Sequence, residues 1–103
     1  MNKCTETLLT SVKIQLRGLL SWIENQSEIE IEVICGTNVA DVLIILANLY
    51  GKELKHVLLH ADGTVYRGLA VSIDQKNIPY QQLTQIRITE PCILTLIPLT
   101  SGG

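Results

Sequence analysis

Apolar and polar residues alternate strictly along Val12, Lys13, Ile14, Gln15, Leu16 and Arg17, and again along Ile29, Glu30, Ile31, Glu32 and Val33. Period two is the mark of a strand with one buried face. Glu24, Asn25, Gln26 and Ser27 lie between the two runs and are rich in turn formers, so an antiparallel hairpin is the economical pairing. Its outer face would set Lys13 and Arg17 against Glu30 and Glu32. Such cross-strand pairs are worth roughly a few tenths of a kcal/mol and help to fix register. They read as a solvated face.

After Gly36 the period changes. Val39, Val42, Leu43, Leu46, Ala47, Leu49 and Tyr50 recur at steps of three and four, as one helical stripe requires. Thr37 or Asn38 can cap this helix, Asp41 suits the positive end of its dipole, and Gly51 is placed to end it. Ile44 and Ile45 widen the stripe, leaving Ile44 as a core-facing or a partner-facing residue. Asp62 and Gly63 signal a turn. Leu69, Ala70, Val71, Ser72 and Ile73 read as a buried strand, and Asp74, Gln75, Lys76 and Asn77 as the turn that follows. Pro79 marks a loop, and Ile86 and Ile88 mark a possible short strand. Cys92 to Ile97 is β-branched and leucine-rich, a last strand that Pro98 closes because it cannot donate to a ladder. This order predicts an α+β domain in two layers, a mixed sheet of four to five strands with one main helix packed on one face.

Composition narrows the picture. The chain has 103 residues, enough for one modest core, and with 47% hydrophobic residues and no Phe that core is built mainly from Leu, Ile and Val. A formal charge of −2 without a basic block argues against nucleic acid as a direct partner. The first ten residues show no secretory pattern, and no membrane contact is expected, so the expected compartment is the cytoplasm. Cys4, Cys35 and Cys92 are odd in number and far apart, and are expected as ordinary buried or half-buried thiols rather than a disulfide framework or a zinc site. His56 and His60 stand at i, i+4 without a carboxylate or cysteine at ligand spacing, so no metal is expected. Trp22 reads as packing. No Ser-His-Asp or paired-carboxylate arrangement is legible, so catalysis by this chain alone is not expected.

An N-terminal hairpin, a helix opening at "GTNVADVL", a turn at "HADGTVYRG", a strand "LAVSID" and a last strand running into Pro98 and a closing Gly102-Gly103 together resemble the β-grasp sulfur carriers, the ubiquitin-like MoaD and ThiS families. The likeness spans roughly residues 12 to 103. It is nearer to the small subunit of molybdopterin synthase than to the shorter thiazole type. The sequence departs from the family's habit at "DQKN", at "ITEPCI" and in the tail "PLTSGG". The resemblance implies residues 1–11 as an N-terminal extension, 12–98 as the β-grasp domain and 99–103 as a flexible tail.

The family's chemistry, carried onto this chain, falls on Gly103. An α-carboxyl pKa of about 3.3–3.7 makes its carboxylate a poor electrophile at neutral pH. The resemblance implies that an E1-like partner uses ATP and magnesium to adenylate it, after which sulfur transfer makes a thiocarboxylate. That sulfur would go to a synthase large subunit or its equivalent in molybdopterin, thiamine or tRNA-thiolation chemistry. No cofactor is expected on this chain. Gly102 and Gly103 lack Cβ atoms, Ser101 and Thr100 are small, and Leu99 would anchor the base of the tail. Five extended residues reach about 17 Å, enough to thread a narrow channel. Fixing each costs about 1–2 kcal/mol, so affinity has to come mainly from the body. Ile93, Ile97 and Ile44 are the candidates for that docking surface. Lys52, Lys55 and Lys76 are conceivable conjugation acceptors. The alternatives are a ubiquitin-like modifier joined to lysines through Gly103, and a β-grasp interaction module that carries nothing.

Overall fold

The computed structural model describes residues 8–18 and 27–98. The chain order is β1 (Leu9–Leu16), β2 (Glu28–Ile34), α1 (Val39–Leu49), α2 (Lys52–Leu58), β3 (Leu69–Ile73), β4 (Lys76–Ile78), a 3-10 turn (Tyr80–Gln82) and β5 (Cys92–Pro98). Five strands form one sheet in the order β2-β1-β5-β3-β4. β1 and β5 run parallel, and every other neighbouring pair is antiparallel. The α+β expectation and its mixed sheet hold, with five strands and two helices among the described residues.

The period-two runs do what one-sided burial demands. Val12, Ile14 and Leu16 of β1 and Ile29, Ile31 and Val33 of β2 face the core, where Leu94 and Leu96 of β5 meet them. The hairpin register pairs Lys13 with Glu30 as expected, but Glu32 faces Ser11. Arg17 lies beyond the last pair, Gln15 with Glu28. The Ser11 hydroxyl donates to the Glu30 carboxylate, so the expected ladder of opposite charges shrinks to one cross-strand pair. β1 also begins at Leu9, three residues before the expected domain boundary at 12. The binary pattern is inverted there: polar Thr10 points inward and apolar Leu9, 62% exposed, points out, so alternation of residue type does not betray the strand.

α1 begins where the capping chemistry predicts. Asn38 is the cap, its Oδ1 accepting the Asp41 N–H at 2.8 Å. Two further donors of the first turn are taken by the crossing segment: Val39 N–H bonds the Ile86 carbonyl and Ala40 N–H the Leu83 carbonyl, both at 2.9 Å. This is also why Ile86 and Ile88 form no strand. Their backbone groups serve the helix entry, and the only ladder contact there is the bridge of Asn38 with Arg87. Leu49, 61% exposed, falls outside the expected stripe, while Tyr50 packs against the core. Gly51 closes α1 and opens α2, a seven-residue helix that was not expected and that buries Leu54 and Leu58. Two buried positions in seven residues are too few to register as a period.

The turn expected over residues 74–77 is confined to Asp74 and Gln75, both at positive φ (48° and 75°), and Lys76 and Asn77 already belong to β4. Among the cysteines, Cys92 is a free, half-buried thiol. Cys35 departs from expectation: it is disulfide-bonded. Spacing in sequence could not show this, because a disulfide depends on Cα separations that the hairpin sets. Cys35 N–H bonds the Leu8 carbonyl at 2.6 Å, bringing the two ends of the hairpin side by side.

Candidate functional site at the end of the last strand

β5 is the central strand, bonded to β1 on one side and β3 on the other. Its ladder runs out at Pro98, which pairs with Leu69, while Ile97 pairs with Ala70. On the opposite flank the Arg17 N–H bonds the Leu96 carbonyl at 3.0 Å. The point where the chain leaves the sheet is therefore gripped from both sides. Leu99, Thr100, Ser101, Gly102 and Gly103, which carry the chemistry expected from sequence, lie outside the described residues. So do Trp22 and all of residues 24–27 except Ser27.

Leu94 and Leu96 point into the core, so Ile93, Thr95 and Ile97 share the outer face of the sheet, with Ile93 38% and Ile97 40% exposed. Between them Thr95 donates to the Gln15 side-chain oxygen at 3.2 Å, and Arg17 Nη2 donates to the same oxygen at 3.3 Å. Ile44 does not join this face. It is half-buried on α1, packed against the core on the other side of the sheet. There it lines a hollow of about 280 Å³ with Ala40, Val65, Tyr80 and Leu83. The expected three-isoleucine surface is thus two isoleucines on the sheet and a third in the helical layer. The helical stripe was broad enough to place Ile44 at its margin but could not say which side of the sheet that margin faced.

The segment leading into β3 contains an arrangement that sequence reading missed. Asp62 and Gly63 form the expected turn, with the Asp62 carboxylate accepting the Thr64 hydroxyl at 2.6 Å and the Thr64 N–H at 3.0 Å. Those bonds, the hydroxyl's foremost, hold the Asp62 carboxyl below its ordinary pKa. Gly63 at φ +90° supplies the backbone reversal. Beyond it, His60 Nε2 accepts the Arg67 N–H at 3.2 Å, and the imidazole meets the Tyr66 ring edge-on, 5.2 Å between centroids. A Cβ at Gly68 would lie 2.5 Å from the Tyr66 ring, so only glycine lets that ring cover the backbone. The Arg67 guanidinium lies 4.7 Å above the Tyr80 ring, and the Tyr80 hydroxyl donates to the Val65 carbonyl at 2.9 Å. No period or spacing rule links these residues. Only the folded turn does.

At the opposite end of β5, burial, followed by the charges of Asp74 and Glu90, raises the Cys92 thiol to a pKa of about 11. His56 and His60 gain no third ligand: among the described residues no three His, Cys, Asp or Glu side chains converge on a metal site. Among the same residues, no helix is long and apolar enough to cross a membrane.

The sheet order, with the first and last strands parallel at its centre and the helices on one face, defines a β-grasp fold of the ubiquitin-like kind. Solved structures of that fold agree with it over almost the whole chain. SAMP1 from Haloferax volcanii superposes with a TM-score of 0.76 at 22% identity, covering 90% of this chain and 99% of its own. Urm1 from Trypanosoma brucei gives 0.72 at 16% identity, covering 95% and 100%. A Pyrococcus furiosus protein described as molybdopterin converting factor subunit 1 gives 0.67 at 12% identity, covering 88% and 99%. No protein-family model matches the sequence, and no curated protein matches it by sequence.

Proposed function

We propose that this protein is a sulfur carrier activated at the Gly103 carboxylate. The observation that carries the reading is the placement of β5: the sheet's central strand, held on both flanks, ends at Pro98 five residues before Gly103. A body anchored there can be gripped by a partner while the tail enters that partner's active site. In the first step the carboxylate oxygen attacks the α-phosphorus of ATP, forming the acyl-adenylate and releasing pyrophosphate, with the partner supplying ATP and magnesium. In the second, a sulfur nucleophile at the hydrosulfide level attacks the acyl carbon. A C–S bond forms, the C–O bond to AMP breaks, and the thiocarboxylate remains. Gly102 and Gly103 let partner walls approach the backbone closely, and this chain contributes no general base. Ile93 and Ile97 supply the apolar part of the docking surface on the sheet. The sulfur-accepting partner is a synthase subunit of the molybdopterin type, in keeping with the name of one structural neighbour.

Incubating the protein with an E1-like adenylating enzyme, ATP and a sulfur donor is expected to add about 16 Da, oxygen replaced by sulfur at the C-terminus. Deleting Gly102 and Gly103 should abolish that gain, and a gain that survives the deletion refutes the reading. Mass spectrometry of the protein isolated from its own cells should show Gly103 as the terminal residue.

A second reading is favoured by neighbours named as small archaeal modifier proteins. The same adenylate, attacked by a lysine amine, yields an isopeptide and releases AMP. Branched Gly-Gly remnants on target lysines after proteolysis distinguish this outcome from the mass gain.

A further inference from the structure

We infer that the free edge of β2 is a docking site for an extended segment of a partner protein in which basic and apolar residues alternate; this stands apart from the chemistry at Gly103. β2 (Glu28–Ile34) is an outermost strand of the sheet, paired only with β1. In an antiparallel ladder, alternate residues turn their N–H and C=O groups to the neighbouring strand and the rest turn them away. Two bonds fix which are which. Leu16 N–H bonds the Ser27 carbonyl at 2.8 Å and Cys35 N–H the Leu8 carbonyl at 2.6 Å, so the odd-numbered residues of β2 serve β1. Glu28, Glu30, Glu32 and Ile34 therefore present their backbone to the open side. The Ile34 carbonyl is taken by the Thr37 N–H at 3.0 Å. The N–H groups of all four residues and the carbonyls of the three glutamates remain in one row, none of them bonded among the described residues.

The side chains of this edge choose its occupant. Ile29, Ile31 and Val33 are buried on the core side, while Glu28, Glu30 and Glu32 are exposed on the outer face. Lys13 stands opposite Glu30, but Glu28 faces Gln15 and Glu32 faces Ser11, so two carboxylates of the row have no cation across the ladder. An unpaired strand edge is a template for another chain, and its charges decide which chain. A second copy pairing β2 to β2 would set glutamate beside glutamate on the outer face, which is unfavourable at each pair. A strand with Lys or Arg on that face and Val or Ile on the other reverses the sign. Its cations neutralise the row, and its apolar residues extend the margin of the core beside Ile29, Ile31 and Val33. Main-chain bonds then supply affinity without regard to sequence, and the two faces supply selection. The other edge of the sheet, β4, is three residues long and runs into Pro79, too short to serve in the same way. β1 lies between β2 and β5, so the added segment extends the sheet away from Ile93 and Ile97.

The test titrates the full chain with the fluorescently labelled peptide KVKVKVK, using KKVVVKK, of the same composition without the alternation, as the control. KVKVKVK should bind saturably and slow hydrogen exchange at the Glu28, Glu30, Glu32 and Ile34 amides, leaving the β4 amides unchanged. Two further peptides carry N-methyl groups on alternate amides, one set on the lysines and the other on the valines. Only one set of N–H groups can face β2, so one of these peptides should bind like the parent and the other roughly tenfold more weakly. The variant combining Glu28→Lys and Glu32→Lys, first shown to be folded by circular dichroism, should bind KVKVKVK about tenfold more weakly than wild type. Equal affinity for KKVVVKK, equal binding of both methylated peptides, exchange protection away from β2, or unchanged affinity in the folded double variant overturns the inference. So does a dimer of the free protein whose exchange protection falls on β2, since a second copy is then the occupant. None of these results bears on the carrier reading, because adenylation at Gly103 takes no part in them.

Discussion

Thr10 is buried in β1, 7% exposed, and its hydroxyl has no hydrogen-bond partner. An unsatisfied buried hydroxyl carries its desolvation cost uncompensated, so the isosteric Thr10→Val should stabilise the fold by about 1 kcal/mol. The thermal midpoint is expected to rise by roughly 5 °C, and an unchanged or lower midpoint would show that the hydroxyl is satisfied in solution. Cys92 makes a pH-dependent statement. Its pKa is raised from an ordinary 9.0 to about 11, first by burial and then by Asp74 and Glu90. The folded state therefore holds the thiol proton more tightly than the unfolded one. The resulting stability is complete below pH 9 and is lost as pH climbs from 9 to 11. Denaturant midpoints across that window should fall more steeply for wild type than for Cys92→Ala, and parallel curves would contradict the assignment. The same shift keeps the thiol unreactive near neutrality. Neither property was legible beforehand, because a threonine ahead of the alternating run and a cysteine at the head of an apolar strand look ordinary until the faces of the sheet are known.

At the scale of elements, the turn between β3 and β4 is the informative case. Asp74 and Gln75 both adopt left-handed backbone, the mirror-image turn that suits the twist of a two-residue hairpin. Asp74 is held there for a purpose: its carboxylate accepts the Ile93 N–H at 3.0 Å, tying the turn to the start of β5. Gln75 makes no such bond. A non-glycine residue in that region costs about 1–2 kcal/mol, part of which glycine would forfeit as unfolded-state freedom. Gln75→Gly should therefore stabilise by about 0.5–1 kcal/mol, read as a shifted urea midpoint with unchanged slope, and destabilisation would mean the turn is not strained. The α1 entry shows what pattern reading handles well. Asn38 and Asp41 were placed by capping rules that act within a few residues, and the structure selected Asn38 between the two candidates. α2 and the segment holding Ile86 and Ile88 were misjudged because their form depends on distant backbone donors and on the packing of Leu54, Leu58, Leu83 and Ile88 into a core shared with the sheet.

For the molecule as a whole, the decisive feature is that the last element of the chain lies at the centre of the sheet, parallel to the first. Native-state hydrogen exchange is therefore expected to find the Leu94 and Leu96 amides among the slowest, opening only with global unfolding, while β4 at the edge exchanges by local fraying. Faster exchange at β5 than at β4 would mean that the root of the tail is not rigidly held and would remove the mechanical basis of the carrier reading. Local composition and order were enough to establish the two amphipathic periods, the neighbourhood of the helix cap, the Asp62-Gly63 turn and a two-layer α+β domain, while the β-grasp expectation came from the family resemblance; one-sided burial leaves its period in the chain and a cap needs only its own neighbours. Tertiary structure alone decided that Ile44 lies on the opposite side of the sheet from Ile93 and Ile97, that Cys35 is oxidised, and that Arg67 stacks on Tyr80. Those relations join residues remote in the chain, and distance in space between remote residues is set by the sheet's register, which no local pattern encodes.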